Sequence, residues 1–383
     1  MQKPRVALVR GAFLNRYDMQ SFAPLSRRFD LTAIGSQKSI HHSFPFPVTA
    51  LFSPMDIPNF PYKMPILNRI FVDAHYLFGL EKRLAGVDIA HTAETYYHYT
   101  KQCLDAKKAG MVKKVIATVW ETLPHANEGI WGRAHFKQRA IQELDHIIAV
   151  TRKAKEALIM EGADGARISV IGAHVDTSRF HPPVGWERKA GAPGKKSFTI
   201  LYAGRLVQEK GIDELLETVR RLGAMPQLRT YEFRWRFVGD GALKRDVLRL
   251  SEEKGKNWHS SLESATYDRM PTIYRSADIF VAPSKPIATW EEQYGMTLLE
   301  AQATGLPIVT TRTGGIPENV GGAALLVPPG DASALASAIT KLVTTPQLRA
   351  TLATRARKRA QVVHDITVGA RQIADLYNEV LSG

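Results

Sequence analysis

Residues 291–315 read EEQYGMTLLEAQATGLPIVTTRTGG. Glu292 and Glu300 stand eight positions apart, on both sides of the first turn of a short helix-prone stretch, MTLLEAQAT. Gly305 suits the position just past a helix C-terminus, and LPIVTT then reads as a strand. Upstream, FVAPSKPIATWEEQYG (280–295) reads as a strand running into a loop. Strand, loop, helix, strand is the repeating unit of a parallel, doubly wound sheet. Gly295 and Met296 then sit at a helix start, where unpaired backbone N–H groups and the helix dipole attract an anion. Two carboxylates would repel that anion. Being acceptors only when ionised, they suit hydroxyl groups instead. The ligand implied has a charged middle and hydroxylated parts on both sides: sugar, diphosphate, ribose. A glutamate in this place also complements the helix dipole without any ligand.

Working outward, the same alternation fills the chain twice. In the first half the strand candidates are 5–10, 30–36, 47–52, 88–94, 114–120, 146–151 and 168–176, with helical stretches such as 65–84 and 152–161 between them. Several are nearly continuous apolar runs, as expected of parallel strands covered on both faces. HPPVGWERKAGAPGKKS (181–197) has no periodicity and reads as a linker. The second half restarts at 198–204 and continues with 235–241, 279–284, 307–313 and 324–329; roughly 332–381 is helical, with a break near VVHDIT (362–367). The expected fold class is α/β: two Rossmann-like doubly wound domains facing across a cleft, into which the strand C-terminal ends present ligand-binding loops.

LYAGRLVQEKGIDELLETV (201–219) is the second informative stretch. A strand ends at Gly204, and Arg205 and Lys210 follow before a helix opens at Gly211. Arginine binds a diphosphate bidentately and lysine as a point charge. Surface charge beside a turn would look the same.

GRLVQEKG together with EQYGMTLLEAQATGLPIVTTRTGGIPE resembles the retaining glycosyltransferases of family 4, which have the GT-B fold. VGDGALKRDVLRL (238–250), YRSADIFVAPS (274–284), GGAALLVPPGDASALASAI (321–339) and the segment 144–182 extend the resemblance across 144–383. It implies an N-terminal acceptor-binding domain over 1–182, a C-terminal nucleotide-sugar domain over 196–364, and a terminal helix, 365–383, packing back on the N-terminal domain. The activity it implies is transfer of a hexose from a UDP- or GDP-sugar, without a metal, to an acceptor: a sugar, a lipid-linked sugar or a small molecule. Glu292 would contact the donor-sugar hydroxyls, the backbone of Tyr294, Gly295, Met296 and Thr297 the sugar and phosphates, and Glu300 the ribose. Arg205 and Lys210 would neutralise the diphosphate, with Gly204 leading into that loop. Catalysis would rest on Arg205, Lys210 and Glu292. No cofactor is expected beyond the donor itself.

The resemblance is thinner at two places. The family's Gly-Gly loop after the first strand is here Gly11-Ala12-Phe13, where Gly11 still permits close backbone approach to a donor. A family histidine that touches the donor sugar is replaced by Trp120 and Glu121, which become candidates for sugar or acceptor contact. His91, His98 and His125 lie nearby as structural or solvated residues. A nucleotide-sugar epimerase, a hydrolase or a phosphorylase on a similar fold is the alternative reading.

The 383 residues carry a net charge of +14. Residues 1–190 hold 26 Lys/Arg against 17 Asp/Glu, so the excess of nine in that half outweighs the five of the rest. Basic surfaces attract phosphates of any kind; the same charge also serves merely as a solvated surface. No nucleic-acid recognition motif is present, so no such partner is expected. Residues 58–84 mix aromatics, aliphatics and cations, a composition that suits either a packed helix or peripheral contact with an anionic membrane. One cysteine, Cys103, excludes an internal disulfide and fits a reducing compartment. With no leader-like segment at the N-terminus, the expected location is cytoplasmic, with or without contact at the inner membrane face.

Overall fold

The computed structural model describes residues 2–186, 191–253 and 255–383. The chain divides into two compact units, Met1–His174 with Ile366–Gly383, and Val175–Asp365. Glu187, Arg188, Lys189 and Ala190 of the expected linker lie outside the described residues.

In the first unit the strands are β1 (Arg5–Gly11), β2 (Asp30–Ser36), β3 (Val48–Leu51), β4 (Val87–Ala93), β5 (Val112–Val119), β6 (His146–Ala149) and β7 (Ile168–Val170). They form one parallel sheet in the order β3-β2-β1-β4-β5-β6-β7. The order reverses direction between β1 and β4, which is where doubly wound sheets bind ligands. β1 shows why the strands read as unbroken apolar runs. Ala7 and Val9 enter one core cluster, with Tyr99, Val115 and Ile147. Val6 and Leu8 enter the other, with Phe22, Phe29, Ile373 and Tyr377. Both faces are covered, so neither side of the strand needs polar residues. The terminal helix Ile366–Ser382 supplies part of that second cover. Tyr377 also donates or accepts at 2.6 Å with His91 Nδ1, while His91 Nε2 meets Thr118 Oγ1 at 2.7 Å.

The second unit repeats the design with β8 (Ser197–Ala203), β9 (Glu232–Val238), β10 (Trp258–Glu263), β11 (Ile279–Ala282), β12 (Ile308–Thr311) and β13 (Leu325–Val327). The parallel order is β10-β9-β8-β11-β12-β13, with its reversal between β8 and β11. Residues 175–182 belong here, although the sequence suggests an N-terminal domain running to 182. The Val175 N–H donates to the His364 carbonyl at 2.8 Å, Thr177 Oγ1 to Asp365 Oδ2 at 2.5 Å, and Arg357 to the carbonyls of Thr177 and Phe180.

Two local readings need correction. β10 is absent from the sequence expectations. Its residues WHSSLE pair only with β9 at the sheet edge and carry little apolar signal. The helix expected over 65–84 is two helices, Lys63–Phe71 and Leu80–Arg83. The segment between them is held open by buried polar groups. Asp73 accepts from the His98 N–H at 3.0 Å, and the Leu77 N–H donates to Gln102 Oε1 at 2.9 Å.

Candidate active site

At the reversal point of the second sheet, two loops are locked together by backbone contact. Gly211 has φ +70, and a Cβ there would lie 1.9 Å from the Pro283 carbonyl oxygen. Only glycine lets the loop after β8 lie against the loop after β11. That closeness puts Lys210 Nζ 2.5 Å from Glu292 Oε2, and Ser284 Oγ donates to the same oxygen at 2.7 Å. The lysine also lies 4.7 Å from the centre of the Trp290 ring. A second glycine fixes the other side of Glu292. Gly314 has φ +51, and a Cβ there would lie 1.9 Å from the Glu292 carbonyl oxygen, which accepts the Gly315 N–H at 2.8 Å.

Directly after this glutamate the helix Met296–Ala303 begins, with Gly295 at its N-cap and no side chain capping it. No side chain caps its leading N–H groups, of which the Leu298 N–H turns back to the Gly295 carbonyl at 3.0 Å. Gly295, Met296 and Thr297 are partly exposed. Tyr294 is 4 % exposed and its ring faces His364, so only its backbone can serve a ligand. Asn319 Nδ2 donates to the Tyr294 and Gly295 carbonyls at 2.7 and 3.2 Å, and its Oδ1 accepts from Gln302 at 2.7 Å. The helix closes with Gly305 N–H on Gln302 and Leu306 N–H on Ala301, the paired bonds of a Schellman end.

The remaining expected donor residues are spread around this point. Arg205 follows Gly204 at the end of β8; its side chain is 60 % exposed and lies 3.3 Å from Glu209. Glu300 sits in the second helical turn, buried, and accepts from the Tyr274 hydroxyl at 2.7 Å. Burial pushes its carboxyl up to about 7, against the hydrogen bond from Tyr274. Glu292 and Glu300 thus have different surroundings: a cation and a hydroxyl for the first, a phenol in the core for the second. The sequence did not single out Ser284, Trp290 or Asn319. Ser284 ends the quoted FVAPS stretch, and that position was its only signal.

The first unit holds the other candidates. Gly11 ends β1 with φ +53, its Cα facing the Tyr99 ring. The Trp120 N–H donates to Glu94 Oε1 at 2.8 Å. Glu121 Oε1 accepts the N–H groups of Thr122 and Leu123 at 2.9 and 3.0 Å. His91 is wholly buried, and His98 Nδ1 lies 2.7 Å from the Phe71 carbonyl. Among the described residues no group of three or more His, Cys, Asp or Glu is placed to hold a metal ion.

Two parallel, doubly wound sheets of this order correspond to the GT-B fold. Anabaena HepE in complex with UDP superposes with a TM-score of 0.74 at 17 % identity, covering 98 % of this chain and 100 % of that one. WaaG, a glycosyltransferase involved in lipopolysaccharide biosynthesis, gives 0.67 at 16 % identity, covering 97 % and 99 %. Residues 186–359 match the model of the group 1 glycosyl transferases. Among curated relatives, a D-inositol 3-phosphate glycosyltransferase of Salinispora arenicola is 28 % identical over 58 % of this chain and 52 % of its own length. The Arabidopsis thaliana sulfoquinovosyl transferase SQD2 is 29 % identical over 56 % of this chain and 40 % of its own. The chain spans about half the length, or less, of these curated relatives.

Proposed function

We propose that the protein is a retaining glycosyltransferase that moves a hexosyl group from a UDP- or GDP-sugar to an acceptor hydroxyl. The observation that carries this reading is Lys210 held against Glu292 at the open start of the Met296–Ala303 helix. The bond from the sugar's anomeric carbon to the diphosphate breaks, and negative charge gathers on the leaving oxygen. Lys210, Arg205 and the leading N–H groups of the helix meet that charge, and fixed donors of this kind stabilise a transition state. Glu292, bound by Lys210 and Ser284, is an acceptor for sugar hydroxyls, and Glu300 for the ribose. The new bond forms from the acceptor oxygen on the same face, and the acceptor proton passes to the departing phosphate. HepE, crystallised with UDP and with UDP-glucose, supports a uridine donor. The protein's own cations supply the charge neutralisation, so transfer is expected to withstand a chelator. No observation favours the epimerase, hydrolase or phosphorylase alternative.

The test is nucleotide release from a panel of UDP-, GDP- and ADP-sugars. Lys210→Ala and Glu292→Ala are each expected to lower kcat/KM about 100-fold, or about 3 kcal/mol, with Tm unchanged within a few degrees. Near-wild-type turnover in both variants would remove the site assignment.

A further inference from the structure

Between β11 and the donor-site helix the chain makes a detour that the donor chemistry leaves unused. Residues 285–290, KPIATW, leave the sheet and turn back on themselves. The Ile287 N–H donates to the Trp290 carbonyl at 2.8 Å and the Trp290 N–H to the Ile287 carbonyl at 3.3 Å, so Ala288 and Thr289 form a two-residue turn. The base of the detour is tied to the loop that carries Lys210. The Lys285 N–H donates to the Glu209 carbonyl at 2.9 Å, and Lys285 Nζ meets Glu214 Oε1 at 2.6 Å. Pro286, Ile287, Ala288 and Thr289 are exposed, whereas Trp290 is half-buried. Its large ring packs onto a cation rather than into a core: Lys210 Nζ lies 4.7 Å from the ring centre.

Two groups thus hold the ammonium, and they do different things. Glu292 Oε2, at 2.5 Å, takes one of its three N–H donors and offsets its charge. Ser284 Oγ, at 2.7 Å from the same oxygen, steadies the carboxylate and not the lysine. The indole face attracts the cation through its quadrupole and carries no net charge. It restrains the end of a flexible four-carbon stem while leaving the positive charge available to an anion. A lysine without that ring keeps its carboxylate partner but loses the contact that fixes where its remaining N–H groups stand.

We propose that Trp290 is a positioning residue for the donor: its indole face holds the Lys210 ammonium where it meets the diphosphate, and it acts on nucleotide binding through that lysine. The proposal rests on the glycosyltransferase reading and deepens its donor site. A double-mutant cycle on the full chain tests it, read by calorimetry as the Kd of UDP or GDP, whichever binds the wild type more tightly. Trp290→Leu keeps an apolar side chain without a ring face and should weaken that nucleotide about fivefold or more, with Tm unchanged within a few degrees. Trp290→Phe keeps a ring face and should stay within about threefold of wild type. In the Lys210→Ala background the leucine substitution should cost less than about twofold, because the group it acts through is gone. A merely structural tryptophan would weaken binding by the same factor in both backgrounds, and that result overturns the proposal. So does a Trp290→Leu chain that binds like wild type, or a Trp290→Phe chain as weak as Trp290→Leu. Any of these, with UDP or GDP still bound by the wild type, rejects only the role of Trp290. A wild-type chain that binds neither nucleotide rejects the glycosyltransferase reading and this proposal with it.

Discussion

Glu300 carries the clearest pH signature at the scale of single residues. Its carboxyl stands at about 7 in the folded chain against an ordinary 4.5, because burial disfavours its charge. Between those values the folded state holds a proton that the unfolded state has lost, so stability falls as pH rises through that window. The cost is absent below about 4.5 and complete above about 7. Glu300→Gln cannot ionise and still offers Tyr274 an acceptor. Relative to wild type it should gain up to about 3 kcal/mol between pH 4 and pH 8 in urea unfolding; a gap that stays constant with pH would contradict the burial argument. Gly314→Ala tests a steric claim. Its Cβ would collide with the Glu292 carbonyl, so a loss of about 2 kcal/mol or more is expected, along with a displaced Glu292. A neutral substitution would mean that the loop tolerates movement. Lys210 and Glu292, which the sequence places in two separate glycine-flanked loops, meet in the structure at 2.5 Å. Ser284 and Asn319 could not be read from the sequence, because each is defined by a partner that no local pattern announces.

At the scale of elements, Asn319 joins the helix Ile316–Val320 to the loop that opens the donor-site helix. It is fully buried, with both ends of its amide bonded. Asn319→Ala leaves the Tyr294 and Gln302 groups without it and should cost about 2–3 kcal/mol, measured by urea unfolding, and should lower turnover through the displaced helix start. Stability within about 0.5 kcal/mol of wild type would show that these groups find other partners. The core strands were legible in outline because parallel strands buried on both faces announce themselves as apolar runs. β10 was not, since an edge strand can be polar and is specified by its neighbour's hydrogen bonds. The split of 65–84 was hidden for a related reason. Apolar spacing continues through it, while the buried Asp73 and Gln102 decide the backbone.

At the scale of the whole molecule, each unit has its own sheet and its own core. The terminal helix completes the first unit by laying Ile373, Ala374 and Tyr377 over Phe29 and Val6. Removing 366–383 would bare that face and should unfold the first unit at a lower temperature while the second keeps its transition; one transition, unshifted, would contradict this. No described helix is long and apolar enough to cross a membrane. The helix Lys63–Phe71 nevertheless exposes Ile66 and Ile70, with Tyr62 and Trp131 also exposed, on a chain of net charge +14. Peripheral contact with an anionic surface through this patch predicts that Ile70→Glu with Trp131→Ala weakens sedimentation with phosphatidylglycerol vesicles at least fivefold, and unchanged sedimentation would reject that contact. The account as a whole turns on a nucleoside diphosphate held by Lys210 at the start of the Met296–Ala303 helix. Calorimetric titration of UDP and GDP into wild type and Lys210→Ala measures this directly. Binding of at least one nucleotide that weakens tenfold or more in the variant is the result expected; no binding, or binding indifferent to Lys210, would contradict the account.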